Sequence, residues 1–100
     1  MKVLLVCNAG MSSSILIEKM KNAAKEKGEE IEISASSISG VAQEKGLWDI
    51  CLTGPQVSYA VDRIKNTLEI PVISIDPRVY ALADGEKALE LAKKLYEASK

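Results

Sequence analysis

The chain has 100 residues, with 13 basic and 14 acidic side chains, a net charge of −1 and no histidine. This length predicts a single domain over residues 1–100, and the near-neutral charge favours neither nucleic acid nor an anionic lipid surface as a partner. Without histidine or a C-x-x-C pair, the chain lacks the usual ligands of a zinc site, so we expect no metal and no cofactor.

The apolar runs argue against a membrane span. The longest, VLLVC, has five residues, whereas a spanning helix needs about 18. It is also too short for the core of a signal peptide. We therefore expect a cytoplasmic protein, in which thiols stay reduced and the two cysteines form no disulfide.

The first third of the chain predicts a strand, a helix and a second strand. Lys2–Val6 is almost entirely apolar, as expected of a central strand that is covered on both faces. A helix is predicted over residues 12–27, with apolar side chains at helical spacing and Gly28 as its stop. Residues 30–35 alternate polar and apolar, which is typical of an edge strand.

The rest of the chain continues this alternation. Residues 36–47 predict one short helix, and residues 49–52 predict a third, apolar strand. The next helix is predicted to start at Pro55 and to bury four residues at helical spacing, namely Val57, Val61, Ile64 and Leu68. Residues 71–75 predict the fourth strand, and Asp84 is the predicted N-cap of the last helix.

Strands that alternate with helices predict an α/β fold with an open four-stranded parallel sheet, strand order 2-1-3-4, and helices on both faces. In that order, the sheet grows in opposite directions on the two sides of the first strand. Ligands of open α/β sheets bind at such a switch point, outside the carboxyl ends of the strands. Residues 7–14 occupy it, so they are the candidate site.

Cys7 ends the first strand and faces the predicted start of the first helix. Unpaired backbone N–H groups and the positive end of the helix dipole favour the thiolate form there. The same N–H groups suit a phosphate, because Gly10 permits close backbone approach and hydroxyls are present at Ser12, Ser13 and Ser14. A nucleophile and a phosphate cradle are thus predicted in one loop.

The loop also admits simpler interpretations. Cys7 could be a core residue that closes a strand, and the serines could act only as helix caps. A plain anion-binding module would need the amides alone, so it would tolerate Cys7→Ser. Cys51, inside the apolar third strand, is predicted to pack in the core. Nucleotide binding is disfavoured, because neither G-x-G-x-x-G nor Gly-Lys-Ser/Thr is present.

A low-molecular-weight tyrosine phosphatase has the same order of strand, cysteine, phosphate loop and helix. Its C-x5-R-[ST] pattern requires an arginine where this chain has Ser13, whereas Asp76-Pro77 resembles the Asp-Pro of its general-acid loop. Without the arginine, the bidentate clamp on the phosphoryl group is missing. The resemblance is therefore to the shape of the loop and not to a working phosphatase.

A second resemblance covers essentially the whole chain. VLLVCNAGMSSS resembles the hydrophobic strand and C-x-A-G-M-S-[TS]-S loop of the IIB components in the lactose and cellobiose (chitobiose) branch of the bacterial sugar phosphotransferase system, or PTS. TGPQVSYAVDRI and PVISID resemble later blocks of that family at the right spacing, and Pro77 is a departure. The chain is thus identified as a member of this family by resemblance.

The resemblance implies a phosphoryl carrier. In that family, the cysteine takes a phosphoryl group from a phosphohistidine of the IIA component and gives it to a sugar in the membrane IIC component, here a β-glycoside such as cellobiose, chitobiose or lactose. Carried onto this chain, the cysteine is Cys7, and the cradle comprises Asn8, Ala9, Gly10, Met11, Ser12, Ser13 and Ser14. An exposed partner rim would comprise Met11, Gly54, Pro55, Gln56 and Tyr59, with core packing as the alternative for Met11 and Tyr59.

Overall fold

The computed structural model describes residues 1–7 and 10–99, with side chains described in the second segment from residue 14 onward. Its strands are β1 Lys2–Val6, β2 Glu32–Ser36, β3 Ile50–Thr53 and β4 Val72–Ser74. Its α-helices are α1 Gly10–Glu26, α2 Val61–Leu68, α3 Pro77–Ala81 and α4 Gly85–Ala98. Two 3-10 helices, Ile38–Glu44 and Pro55–Ala60, follow β2 and β3.

The four strands form one parallel sheet in the order β2-β1-β3-β4, which confirms the predicted fold class and strand order. Val3 of β1 lies between Ile33 and Ile50 of the neighbouring strands. The order places β1 and β3 in the centre, where the sequence is apolar at nearly every position.

Successive residues of the central strands face opposite sides of the sheet, so the core has two layers. Val3 and Leu5 pack on one side with residues of α1 and α4, such as Leu16 and Ala88. On the other side, the layer consists of buried residues from β1, β3, the 3-10 helices, α2 and β4, namely Leu4, Val6, Val41, Cys51, Val57, Ala60, Ile64, Leu68 and Val72. Helices cover both faces, as predicted.

Local signals set several element ends. Gly28 has φ +68°, and the backbone N–H of Glu29 donates to the Ala24 carbonyl at 2.8 Å, which closes α1 at the predicted stop. The Asp84 side chain accepts from the backbone N–H of Lys87 at 3.1 Å, which confirms the predicted cap of α4. The strand predicted over residues 30–35 lies at Glu32–Ser36 instead.

Two helical segments of the structure differ from the prediction. The helix predicted from Pro55 is a 3-10 helix as far as Ala60, and α2 begins only at Val61, because Val57 has a non-helical backbone (φ −118°, ψ 22°). The short helix α3 was not predicted. Within the described part of the chain, no helix is long and apolar enough to cross a membrane.

Helices α1 and α4 approach closely at Gly85. A Cβ placed on this glycine would lie 2.3 Å from the backbone carbonyl carbon of Lys19. The missing side chain therefore permits the start of α4 to lie against the middle of α1, and the two helices pack as a pair on their face of the sheet.

Candidate functional site at the carboxyl ends of the strands

Backbone hydrogen bonds hold Cys7 at the carboxyl end of the sheet. Its N–H donates to the Ser36 carbonyl at 3.1 Å, and the N–H of Gly54 donates to the Val6 carbonyl at 2.9 Å. These bonds continue the sheet ladders one step beyond β1 and β3. The backbone position of Cys7 is therefore fixed by both neighbouring strands, just before the start of α1 at Gly10.

The Cys7 thiol lies on the face covered by α1 and α4, and only 4% of the residue is exposed. The hydroxyl of Tyr80, itself 9% exposed, donates a hydrogen bond to the Cys7 Sγ at 3.6 Å, an ordinary length for the large sulfur atom. The thiol is thus buried but not in a purely apolar environment.

Gly54 lies beside the point where these two side chains meet. A Cβ placed on it would lie 3.4 Å from the Cys7 Sγ and 3.4 Å from the Cε2 of Tyr80. The residues come from the ends of β1 and β3 and from α3 after β4. The closest neighbour of that Cβ would be the Gln56 Oε1 at 2.7 Å, so the glycine of the Gly54-Pro55-Gln56 block leaves room for the Gln56 side chain.

Tyr80 owes its position to the start of α3. The Asp76 side chain accepts from the backbone N–H of Arg78 at 2.7 Å, and Pro77 occupies the first turn of the helix. Asp76-Pro77, which resembled a phosphatase general-acid loop in the sequence, serves here as a helix-capping pair. The Asp76 carboxylate is therefore accounted for by a structural role at the start of α3.

A cleft of about 610 Å³ reaches Cys7 from the face of the sheet opposite α1 and α4. Its walls are the 3-10 helix Ile38–Glu44 and α2, and we call it the Cys7 cleft. Arg63 is the single charged side chain among its described lining residues, which otherwise are Cys7, Ser37, Ile38, Ser39, Val41, Ala42, Tyr59, Ile64 and Thr67. A positive charge on the wall suits an anion beside Cys7.

Three large apolar side chains are exposed in the segments that follow β1, β3 and β4. Ile15 is 55% exposed, and Tyr59 and Leu82 are each 78% exposed. All three segments start at the carboxyl edge of the sheet, the edge at which Cys7 lies. These three side chains are therefore available for contact with another molecule at that edge.

The structure places the predicted site residues unequally. Asn8 and Ala9 lie outside the described residues, as do the side chains of Met11, Ser12 and Ser13, although the backbone from Gly10 onward is helical. Ser14 is exposed. In the predicted rim, Gly54 is buried, Pro55 is partly buried, and Gln56 and Tyr59 are exposed.

Cys51 has the buried position that the sequence predicted. It is completely buried in β3, on the face opposite Cys7, and its thiol lies 3.8 Å from the Leu52 carbonyl oxygen. Burial, and to a smaller extent the nearby Cys7, raises the pKa of the Cys51 thiol from 9.0 to about 12. Cys51 therefore stays a neutral thiol.

Sequence reasoning missed two residues of the site, Tyr80 and Arg63. Tyr80 is 73 positions from Cys7 and lies in a five-residue helix, so neither spacing nor periodicity connects the two. Arg63 lies on the polar side of an amphipathic helix, where a charged residue is ordinary. Only the packing of α2 against the 3-10 helix brings it to the cleft.

Comparison with known proteins identifies the family. The family model "PTS system, Lactose/Cellobiose specific IIB subunit" matches residues 2–91. The chain is 39% identical over 97 residues to the oligo-beta-mannoside-specific EIIB component of Bacillus subtilis (strain 168), covering 94% of each chain. It is 34% identical over 103 residues to the cellobiose-specific EIIB component of Lactococcus lactis subsp. lactis (strain IL1403), covering 93% of this chain and 94% of the relative.

Solved structures agree with this assignment. The solution structure of the cellobiose-specific IIB component from Borrelia burgdorferi aligns with a TM-score of 0.82 at 30% identity, covering 100% of this chain and 94% of that chain. The lactose-specific IIB domain from Streptococcus pneumoniae has the same fold, with a TM-score of 0.81 at 19% identity and coverage of 96% and 97%. The chain therefore belongs to the lactose/cellobiose-specific IIB family of the PTS, whose members are sugar-specific phosphotransferase components.

Proposed function

We propose that Cys7 is the phosphoryl carrier of this IIB protein. It accepts a phosphoryl group from a phosphohistidine of a IIA partner and passes the group to a β-glycoside of the cellobiose, chitobiose or lactose class, bound by a membrane IIC partner. The observation that carries the proposal is the position of Cys7, at the carboxyl end of the central strand, before the start of α1 and beside a cleft lined by Arg63.

The chemistry consists of two displacements at phosphorus. In the first, the Cys7 thiolate attacks, an S–P bond forms, the N–P bond to the donor histidine breaks, and its electron pair returns to the imidazole. In the second, a sugar hydroxyl attacks, the S–P bond breaks, and the sulfur leaves as a thiolate while the hydroxyl proton passes to a base of the IIC partner. The covalent intermediate on sulfur replaces one difficult direct transfer from histidine to sugar with two easier transfers.

The proposed cradle for the phosphoryl group is the backbone and hydroxyl groups of residues 8–14. Amides at the start of α1 favour a dianion, and the helix dipole adds to this preference. A carrier must hold the group without activating it toward water. The lack of a loop arginine therefore suits this function, and the use of Asp76 as a helix cap suits it too.

The partner surface in this proposal is the carboxyl edge of the sheet. Ile15, Tyr59 and Leu82 present apolar contacts, and the Cys7 cleft presents the positive charge of Arg63. Both partners must reach the same sulfur, so they dock in turn on overlapping areas. We expect weak and transient contacts, since a tightly held partner would prevent the second transfer.

The proposal is tested by incubating the protein with phosphorylated IIA and following the phosphoryl label. The wild-type protein should gain one phosphoryl group as an alkali-stable, iodine-sensitive S-phosphocysteine, as judged by intact mass and peptide mapping. Cys7→Ser should gain none, whereas the matched control Cys51→Ser should be labelled as fast as wild type. Labelling of Cys7→Ser, or a label that maps to Cys51, would contradict the proposal.

The phosphatase alternative predicts turnover of p-nitrophenyl phosphate with Asp76 as the proton donor. We expect almost none, because Asp76 caps α3 and the loop has no arginine. Sustained hydrolysis that disappears in both Cys7→Ser and Asp76→Asn would overturn the carrier assignment. Phosphate binding that survives Cys7→Ser, without any transfer, would instead favour a plain anion-binding module.

A further inference from the structure

Tyr80 is outside the proposed phosphoryl cradle of residues 8–14. Among the described side chains, it is the one that forms a hydrogen bond with the candidate nucleophile, Cys7. The phenol hydroxyl is a donor, and the sulfur at 3.6 Å is its acceptor. Both residues belong to the same buried layer, so the bond is shielded from water. A hydrogen bond to a charged acceptor in such a site is stronger than one at the surface.

We propose that Tyr80 is a positioning residue for phosphoryl transfer, whose hydroxyl stabilises and orients the Cys7 thiolate before attack and after release. The inference rests on the proposed carrier function of Cys7. In this inference α3, which is distant from residues 8–14 in the sequence, carries the side chain that keeps the sulfur in its reactive form.

The geometry explains why tyrosine is suited to this position. The ring is held by burial among core residues, and Gly54 lies beside both the sulfur and the ring. The cap at Asp76 and the backbone bond from the Tyr80 N–H to the Asp76 carbonyl, at 3.0 Å, fix the turn that carries the ring. The donor is therefore pre-organised, and no rearrangement is needed when charge develops on sulfur.

The bond has a distinct role in each half of the reaction. When the thiolate attacks phosphorus, its electron pair enters the S–P bond and the sulfur loses its charge, so the hydrogen bond weakens. When the S–P bond breaks toward the sugar, the pair returns to sulfur, and the Tyr80 hydroxyl again faces an anion. A donor at this atom thus makes sulfur a better leaving group in the second step.

Other groups near the thiol act differently. Arg63 is across the Cys7 cleft and is exposed, so water screens its charge. Cys51 is a neutral thiol on the opposite face of the sheet, and Asp76 and Arg78, on the helix that carries Tyr80, are exposed. Among the described side chains, Tyr80 is the one that donates directly to sulfur.

The test compares Tyr80→Phe with Tyr96→Phe, which removes a hydroxyl from another tyrosine packed against the same core layer. Both are made in a Cys51→Ala background so that alkylation reports Cys7 alone. Loss of the donor should move the pH profile of iodoacetamide alkylation up by about one pH unit, the size expected for one hydrogen bond to a charged group. Phosphorylation by IIA should slow about threefold, because the smaller thiolate fraction is partly offset by a more nucleophilic thiolate, while Tyr96→Phe changes neither measurement.

A second variant makes the test independent of stability. Site-specific 3-fluorotyrosine at position 80 keeps the shape of the ring and donates more strongly, so the alkylation profile should move down. An unchanged profile in Tyr80→Phe, or shifts of the same sign in both variants, would overturn the inference even if Cys7 proves to be the carrier. Failure of the carrier function itself appears separately, as an absence of label on the wild-type protein.

Discussion

The two cysteines are both buried, one inside β3 and one just after the neighbouring β1, and they differ in almost every other respect. Cys51 is inside β3, with its sulfur near a backbone carbonyl of its own strand. Cys7 lies just past β1, where the sheet ends, and has a phenol donor and a cleft beside it. Burial alone therefore does not distinguish the two thiols. They differ in position: Cys51 lies inside its strand, whereas Cys7 follows the last residue of its strand.

The largest expected difference is in alkylation. With a pKa of about 12, roughly one Cys51 thiol in ten thousand is ionised near pH 8. We therefore expect native Cys51 to react about a thousandfold more slowly than an exposed cysteine of the unfolded chain. Peptide mapping after limited iodoacetamide treatment should find the adduct on Cys7, and Cys51 should be labelled only after denaturation. Faster labelling of Cys51 would remove the distinction between the two sites.

The second prediction concerns stability at alkaline pH. The unfolded chain loses the Cys51 proton above about pH 9.0, whereas the native protein keeps it up to about pH 12. The native state thus holds more protons in this window, so its stability is intact below pH 9.0 and falls by about 1.4 kcal/mol per pH unit above it. Urea unfolding across this range should show a steeper decline for wild type than for Cys51→Ala. Parallel declines would mean that Cys51 titrates normally.

A smaller effect is expected from the charge in the Cys7 cleft. Arg63→Gln should slow phosphorylation by IIA about threefold to tenfold, because one exposed cation on the wall of this cleft contributes about 1 kcal/mol. Arg63→Lys should recover part of the rate. The control is Lys65→Gln, which removes an exposed cation from α2 without altering the cleft. Equal slowing in both variants would point to net charge and not to a site.

The smallest effect is expected at Thr53, a buried polar residue on the same face as Cys51. Its hydroxyl has no hydrogen-bond partner among the described residues. Thr53→Val should raise the free energy of unfolding by about 1 kcal/mol, since it removes an unsatisfied buried group and keeps the shape. Thr67→Val should give no such gain, because the Thr67 hydroxyl donates to the Arg63 carbonyl at 2.9 Å. A loss of stability in Thr53→Val would show that the hydroxyl has a partner.

Much of the fold was predictable because its signals are local. The apolar run of β1, Gly28 at the end of α1 and Asp84 at the start of α4 each act on their own neighbours, and each has the predicted role. The place of Cys7 at the carboxyl edge of the sheet was also predictable, because it is the last residue of an apolar run that a Gly- and Ser-containing stretch follows. The 3-10 turn after Pro55 was hidden because the apolar spacing there fits an α-helix equally well.

The parts of the site that escaped prediction depend on distant packing. Tyr80 was singled out by no sequence pattern, and nothing in its neighbours marks it as the partner of a thiol. Its position beside Cys7 depends on the sheet order β2-β1-β3-β4, in which the segment after β4 must reach across β3 to the end of β1. Gly54 belongs to both groups, because the sequence marked it as unusual and only the structure explains why.

The close approach at Gly85 also has a consequence for how the chain can diversify. Any side chain there would enter the backbone of Lys19, whereas at Gly28 a Cβ would meet nothing within 4 Å and only the positive φ disfavours it. A saturation library at codon 85, sorted for folded protein, should therefore return glycine almost alone, while codon 28 should also return asparagine. Even where the surrounding residues are substituted, a glycine at position 85 would therefore indicate that α1 and α4 pack in this way.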